Sequence, residues 1–180
     1  KDIRVREAII RAVDIEQMVK GIYQYDEADR AYLPLPPGSW GYDKSLESIV
    51  PSYDPEKAKQ LLTEAGYPNG FKTQIYVADK QGRVKMATIL QQYLKQNLNI
   101  DLEIKTADWG TFSDIASKGN APIYGMSWTW YPDPYFFLNQ MFHSSQIGSL
   151  GNGAGFNVPE VDQLLDEALR EPEQSKRAEL

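Results

Sequence analysis

An α/β fold with a small mixed sheet flanked by helices is expected from three features of the sequence. Residues 100–104 alternate apolar and polar side chains strictly, and 72–78 in part, through Ile75 and Val77, at the spacing of a half-buried strand. Segments of 3.6-residue periodicity stand before, between and after them. The apolar and aromatic stretch 121–130 supplies a third, buried strand. Strand, helix, strand, helix, strand in succession is the pattern of α/β proteins, whose right-handed crossovers lay helices on the sheet faces.

The elements follow in chain order. Val5, Ala8, Ile9, Ala12 and Val13 recur at helical spacing. Asp14 with Gln17 three residues on is a capping-box pattern, opening a second helix over 15 to about 23. From about 25 to 53 the periodicity is lost, and Pro34, Pro36, Pro37, Gly38, Gly41 and Pro51 break both helix and strand. So long a loop in a compact domain is functional or draped over the surface. Asp54 caps the next helix, with Pro55 in its first turn, a stripe of Ala58, Leu61, Leu62 and Ala65, and Gly66 as its stop. The longest helix is expected over 84–98, turning Met86, Ile89, Leu90, Tyr93, Leu94 and Leu98 inward. Asp108 caps a short helix to about 117, and Asp133, with Pro134, caps one to about 142. A glycine-rich loop covers 144–156, and a last helix from Pro159 carries Val161, Leu164, Leu165 and Ala168. The chain is in helical phase within a few residues of Lys1 and reaches Leu180 inside another helical pattern. It is expected to be a piece of a longer protein.

Composition removes several classes of function. The 180 residues are 42% hydrophobic and 24% charged, with a net charge of −6 and no basic block, which argues against nucleic acid and anionic membranes as partners. No apolar run approaches the ~20 residues of a membrane span, so this piece does not insert directly into a bilayer. With Cys 0 and His 1, thiol nucleophiles, thiolate sites and multi-histidine metal centres are excluded; neither metal nor cofactor is expected. Gly151-Asn152-Gly153-Ala154-Gly155 follows no strand and lacks the Lys-Ser/Thr ending of a phosphate loop. No Gly-x-Ser-x-Gly elbow is present to serve His143, which reads as a capping or surface histidine. A glycoside hydrolase would need a carboxylate pair. Asp14, Asp54, Asp108 and Asp133 are accounted for as helix caps, and Asp26, Glu27 and Asp29 read as a solvated cluster. No enzymatic activity is expected.

The stretch Trp128-Thr129-Trp130-Tyr131-Pro132-Asp133-Pro134-Tyr135-Phe136-Phe137 is denser in aromatic rings and proline than a strand-to-helix turn needs. A packed core edge is one reading. The other is a ligand platform, with aromatic faces for stacking at the carboxyl end of a strand, where α/β sheets gather ligands. Trp128, Trp130 and Tyr131 are the candidate ligand contacts, and strand alternation would point Trp128 and Trp130 to one face.

Six segments, in order, resemble the extracellular solute-binding proteins of peptide- and nickel-type ABC importers. They are Asp2-Ile3-Arg4-Val5-Arg6-Glu7-Ala8-Ile9 with Ala12-Val13-Asp14-Ile15; Leu35-Pro36-Pro37-Gly38 with Gly41-Tyr42-Asp43; and Tyr53-Asp54-Pro55-Glu56-Lys57-Ala58-Lys59 with Leu61-Leu62 and Glu64-Ala65-Gly66-Tyr67. Trp109 after the strand at Ile104, Tyr131-Pro132-Asp133-Pro134, and Asn157-Val158-Pro159-Glu160-Val161-Asp162 complete the series.

The resemblance implies a type II periplasmic-binding-protein fold in which residues 1–180 form a single lobe, the C-terminal one of a longer two-lobe protein. It implies a peptide or other small-molecule ligand held between that lobe and an N-terminal lobe of the same protein, with ABC permease subunits as partners. It places the protein in the periplasm or outside the cell, anchored to the membrane through an N-terminus beyond this piece. It adds Trp109 to the candidate ligand contacts. It also sets Trp130 where peptide binders of the family commonly carry an aspartate that pairs with the peptide's amino terminus. A tryptophan there offers cation–π contact in place of an ion pair, which opens an oligosaccharide as an alternative ligand.

Overall fold

The structure is a computed structural model that describes residues 2–23, 28–128 and 133–180. Its helices are α1 (Ile3–Arg11), α2 (Ile15–Ile22), α3 (Pro55–Glu64), α4 (Gln81–Leu98), α5 (Trp109–Ser117), α6 (Pro134–Phe142), α7 (Pro159–Arg170) and α8 (Gln174–Glu179). Its strands are β1 (Lys72–Ala78), β2 (Asp101–Ala107) and β3 (Ile123–Gly125). The chain divides into two compact units, each assembled from separate segments.

The first unit comprises Lys1–Arg30, Ser48–Trp109 and Ala121–Met126 and holds the sheet. Strand order is β2-β1-β3, and both pairings are parallel, so no antiparallel strand occurs among the described residues of a sheet expected to be mixed. The core joins Ala8 and Ala12 of the α1 region, Ala58, Leu61 and Leu62 of α3, Ile75 and Val77 of β1, and Ala87, Leu94 and Leu98 of α4. Local chemistry starts these helices as their sequences require. Asp14 accepts the Gln17 amide at 3.0 Å and Asp54 the Lys57 amide at 3.0 Å, each satisfying a first-turn N–H that the helix itself cannot. Three longer bonds then fix helix to helix. Arg4 Nη1 donates to the Glu64 carbonyl at 2.7 Å, the Asp54 amide to the Arg11 carbonyl at 2.8 Å, and Asn97 Nδ2 to the Ala12 carbonyl at 2.7 Å.

The second unit comprises Ala31–Glu47, Gly110–Asn120 and Ser127–Leu180. α6 packs on α7, and Phe112, Ala116, Pro134 and Leu165 are buried apolar side chains among its described residues. Asp133 caps α6 by accepting the Tyr135 amide at 2.9 Å. The glycine-rich loop folds around Asn152, 1 % exposed, whose side chain bonds the His143 carbonyl and both the carbonyl and the amide of Phe156.

Several elements differ from their sequence reading. β3 stops at Gly125 and is half-buried, where a buried strand over 121–130 was expected; its partner there is Val77, and β1 runs on only to Ala78, so the ladder has little further to pair with. Trp128 lies beyond the end of β3, and Trp130, expected on the same face, lies outside the described residues. β2 extends three residues beyond Ile104 because β1 continues beside it to Ala78. α4 begins three residues earlier than its apolar stripe, at Gln81. Within α7, Leu164 is exposed and Leu165 is the buried position. The long loop contains a 3-10 turn at Lys44–Ile49.

Candidate functional site

The carboxyl ends of the three parallel strands lie at one edge of the sheet, in the first unit. Asp79, directly after β1, donates its amide to the carbonyl of Ala107, the last residue of β2, at 2.9 Å, locking the two strand ends in register. The chain then turns into α4 through Lys80 and into α5 through Asp108. α4 has 18 residues, gains no side-chain cap from Lys80 and carries no acid in its first turn. Its positive end is thus uncompensated by its own side chains, a setting that favours an anionic group.

Trp109, the first residue of α5, is 49% exposed, far more than a ring of its size needs for packing alone. The guanidinium of Arg83, in the first turn of α4, stands 5.6 Å from its ring centre. The pair combines an accessible π-face with a positive group at the edge where α/β sheets take ligands.

The second unit carries the aromatic stretch. Trp128 is half-buried; its indole N–H is shielded from solvent and has no hydrogen-bond partner among the described residues. An indole N–H normally finds an acceptor when buried, so this donor stands out. Trp130 and Tyr131 lie outside the described residues. Asp133 is the cap it was expected to be, and it does a second job: Nη2 of Arg177 donates to its two carboxylate oxygens at 3.1 and 3.2 Å. The same guanidinium lies 4.9 Å from the ring centre of Trp40.

His143 follows α6 and caps the 3-10 turn at Ser144–Gln146, its Nδ1 accepting the Ser145 amide at 3.1 Å. The Ser144 hydroxyl donates to Asp162 and not to the imidazole. Among the described residues no three His, Cys, Asp or Glu side chains gather as a metal site, and no helix is long and apolar enough to cross a membrane. Arg83, Arg177 and Trp40 were missed in the sequence. Arg83 had a signal, a cation in the first turn of a helix that no residue caps. Arg177 and Trp40 had none, because their partners are remote in the chain.

Comparison with known proteins places this geometry. The model of the bacterial extracellular solute-binding proteins, family 5, middle part, matches residues 1–149. The heme-binding protein A of Haemophilus influenzae is 36% identical over 99% of this chain and 33% of its own length. The ABC-transporter-associated periplasmic binding protein DppA of Helicobacter pylori, solved with the peptide STSA, superposes with a TM-score of 0.88 at 32% identity, over 97% of this chain and 34% of that one. A dipeptide-binding protein of a Pseudoalteromonas species, solved with Met-Leu, gives a TM-score of 0.88 at 31% identity, over 98% and 35%. The chain thus spans about a third of the length of the relatives it matches. The fold is that of the periplasmic binding proteins, and the chain belongs to the bacterial extracellular solute-binding proteins of family 5.

Proposed function

We propose that residues 1–180 are one ligand-binding lobe of a two-lobe solute-binding protein, which captures a peptide and delivers it to an ABC permease in the periplasm or outside the cell, without catalysis. The observation that carries the reading is the pairing, at the carboxyl edge of the sheet, of the exposed Trp109 and Arg83 with the uncapped start of α4. Such an edge suits a ligand with an apolar or aromatic body and a carboxylate at one end. Two of the similar solved structures hold peptides, ligands with that chemistry. Trp128, with its shielded indole N–H, and Trp130 and Tyr131 are proposed as further contacts, Trp130 taking a peptide's ammonium on its face.

The heme-binding relative raises a second ligand, a haem, whose flat ring would stack on the same tryptophans. His143 does not suit it as an iron ligand. Its Nδ1 is bonded to the Ser145 amide, and its Nε2 lies 3.6 Å from Asp166.

Calorimetry on the full-length two-lobe protein tests the proposal with STSA, Met-Leu and hemin as probes. A peptide is expected to bind, and Trp109→Ala and Arg83→Met each to weaken it by about tenfold, or ~1.4 kcal/mol. Trp130→Ala is expected to weaken it by roughly ten- to a hundredfold. Hemin binding in place of both peptides would replace the ligand class. Affinities unchanged by all three substitutions would remove these residues from the site.

A further inference from the structure

We propose that β2 is an edge able to pair antiparallel with the β2 of a second copy of this chain, and that Gln91 of α4 holds it shut. The residues involved all belong to the first unit, and the inference is independent of the ligand.

The strand order β2-β1-β3 leaves β2 at one side of the sheet among the described residues. Backbone bonds fix which way its groups point. The Asp101 amide donates to the Phe71 carbonyl at 2.9 Å, and the Ala107 carbonyl accepts the Asp79 amide at 2.9 Å. Asp101 and Ala107 therefore turn their polar backbone groups toward β1, and by alternation so do Glu103 and Lys105. Leu102, Ile104 and Thr106 turn theirs the other way, as an edge strand does. One of these outward groups is engaged by a side chain: Nε2 of Gln91 donates to the Leu102 carbonyl at 2.6 Å. Gln91 and Leu102, with Lys95, Gln96 and Glu103, also line an open groove of about 1050 Å3. An added strand, which runs ~4.8 Å from its neighbour, has room there.

The side chains of β2 name the occupant. In an antiparallel pair centred on Ile104, Leu102 of one copy stands opposite Thr106 of the other, and Ile104 stands opposite itself. These are the residues whose backbone groups point outward, so they exchange the hydrogen bonds. The same register sets Glu103 opposite Lys105 twice, and opposite charges across strands favour pairing. Both side chains are accessible: that of Glu103 is 56% exposed and that of Lys105 41%. Within one copy Lys105 Nζ lies 2.5 Å from Glu103 Oε1, and the dimer joins two such pairs into one cluster of four charges. The strand is thus its own complement, as a two-fold interface requires. The Leu102 carbonyl is the acceptor that the Thr106 amide of the second copy needs. Gln91 occupies that acceptor in each copy, so the dimer forms only when two bonds are released.

Sedimentation equilibrium on the full-length protein tests the proposal. Gln91→Met keeps the length of the side chain and removes the donor. Loss of one such bond shifts the equilibrium by about tenfold, and the two-fold counts it twice, so this variant should dimerise about a hundredfold more tightly than wild type. Adding Lys105→Glu sets like charges opposite each other and should return the monomer. Adding Glu103→Lys to those two restores opposite charges in the same register and should bring the dimer back. Association of Gln91→Met equal to that of wild type would overturn the proposal. So would a dimer that neither charge substitution affects, since it would form through another surface. If Gln91→Met does not fold, Gln91→Ala decides the matter by the same readout.

Discussion

At the scale of single residues, Asn152 carries more of the second unit than its size implies. Its side chain satisfies two carbonyls and one amide from inside the glycine-rich loop, and no hydrophobic residue could replace those bonds. Asn152→Ala is expected to lower the local opening free energy of the loop by about 2–3 kcal/mol in native-state hydrogen exchange, because buried backbone groups lose their partners. Asp162 ties α7 to the turn after α6 by accepting the Ser144 hydroxyl and amide. Those bonds, first the hydroxyl, then the amide, with His143 adding attraction, hold its carboxyl below the usual carboxylate value. A carboxyl depressed on folding contributes stability that is present in full above its unfolded value, near 3.8, and is lost as the pH falls through the lower folded value. Exchange of the Ser144 amide should therefore accelerate on acidification below about pH 4, beyond the intrinsic pH dependence of exchange. Asp162→Asn should flatten that response; a response unchanged in the variant would assign it to another group.

At the scale of elements, the helices were legible where one side chain performs a local task. Asp14, Asp54 and Asp133 cap as read because the N–H groups they satisfy lie two or three residues away. What depended on a partner strand was not legible. Nothing in residues 121–130 reveals that β1 ends at Ala78, just past Val77, the partner of Gly125, so aromatic richness was taken for strand length. The start of α4 at Gln81 was hidden because Lys80 caps nothing. The link from Arg177 to Asp133 spans 44 residues and leaves no periodic trace. The turn before β1 shows how tightly one junction is built. Gly70 has φ +74, and a Cβ there would meet the Asn99 carbonyl oxygen at 2.1 Å, while Asn99 Nδ2 donates to the Asn69 carbonyl at 2.8 Å. Gly70→Ala is expected to cost at least about 2 kcal/mol, from the left-handed backbone and from backbone atoms that have no room to move. Urea unfolding followed by circular dichroism checks this, and a midpoint equal to wild type would show that the turn relaxes.

At the scale of the whole molecule, apolar burial is divided unequally. The first unit holds the hydrophobic cluster that joins α1, α3, α4, β1 and β2, whereas the second buries Phe112, Ala116, Pro134 and Leu165 among its described residues and relies on Asn152 and its bonds. Since stability follows buried apolar area, amides of β1 and α4 should be the slowest in the chain to exchange, with α6 and α7 opening first. Equal protection of both units would show that polar bonds in the second make up the difference. The central claim, that this is a lobe of a peptide-binding protein, is tested most directly by a native mass spectrum of the full-length protein purified from its own cells. The account predicts a retained adduct that fragments into amino-acid residues on activation. A retained ligand of another chemistry, or a bare polypeptide that takes up neither STSA nor Met-Leu on incubation, would contradict it.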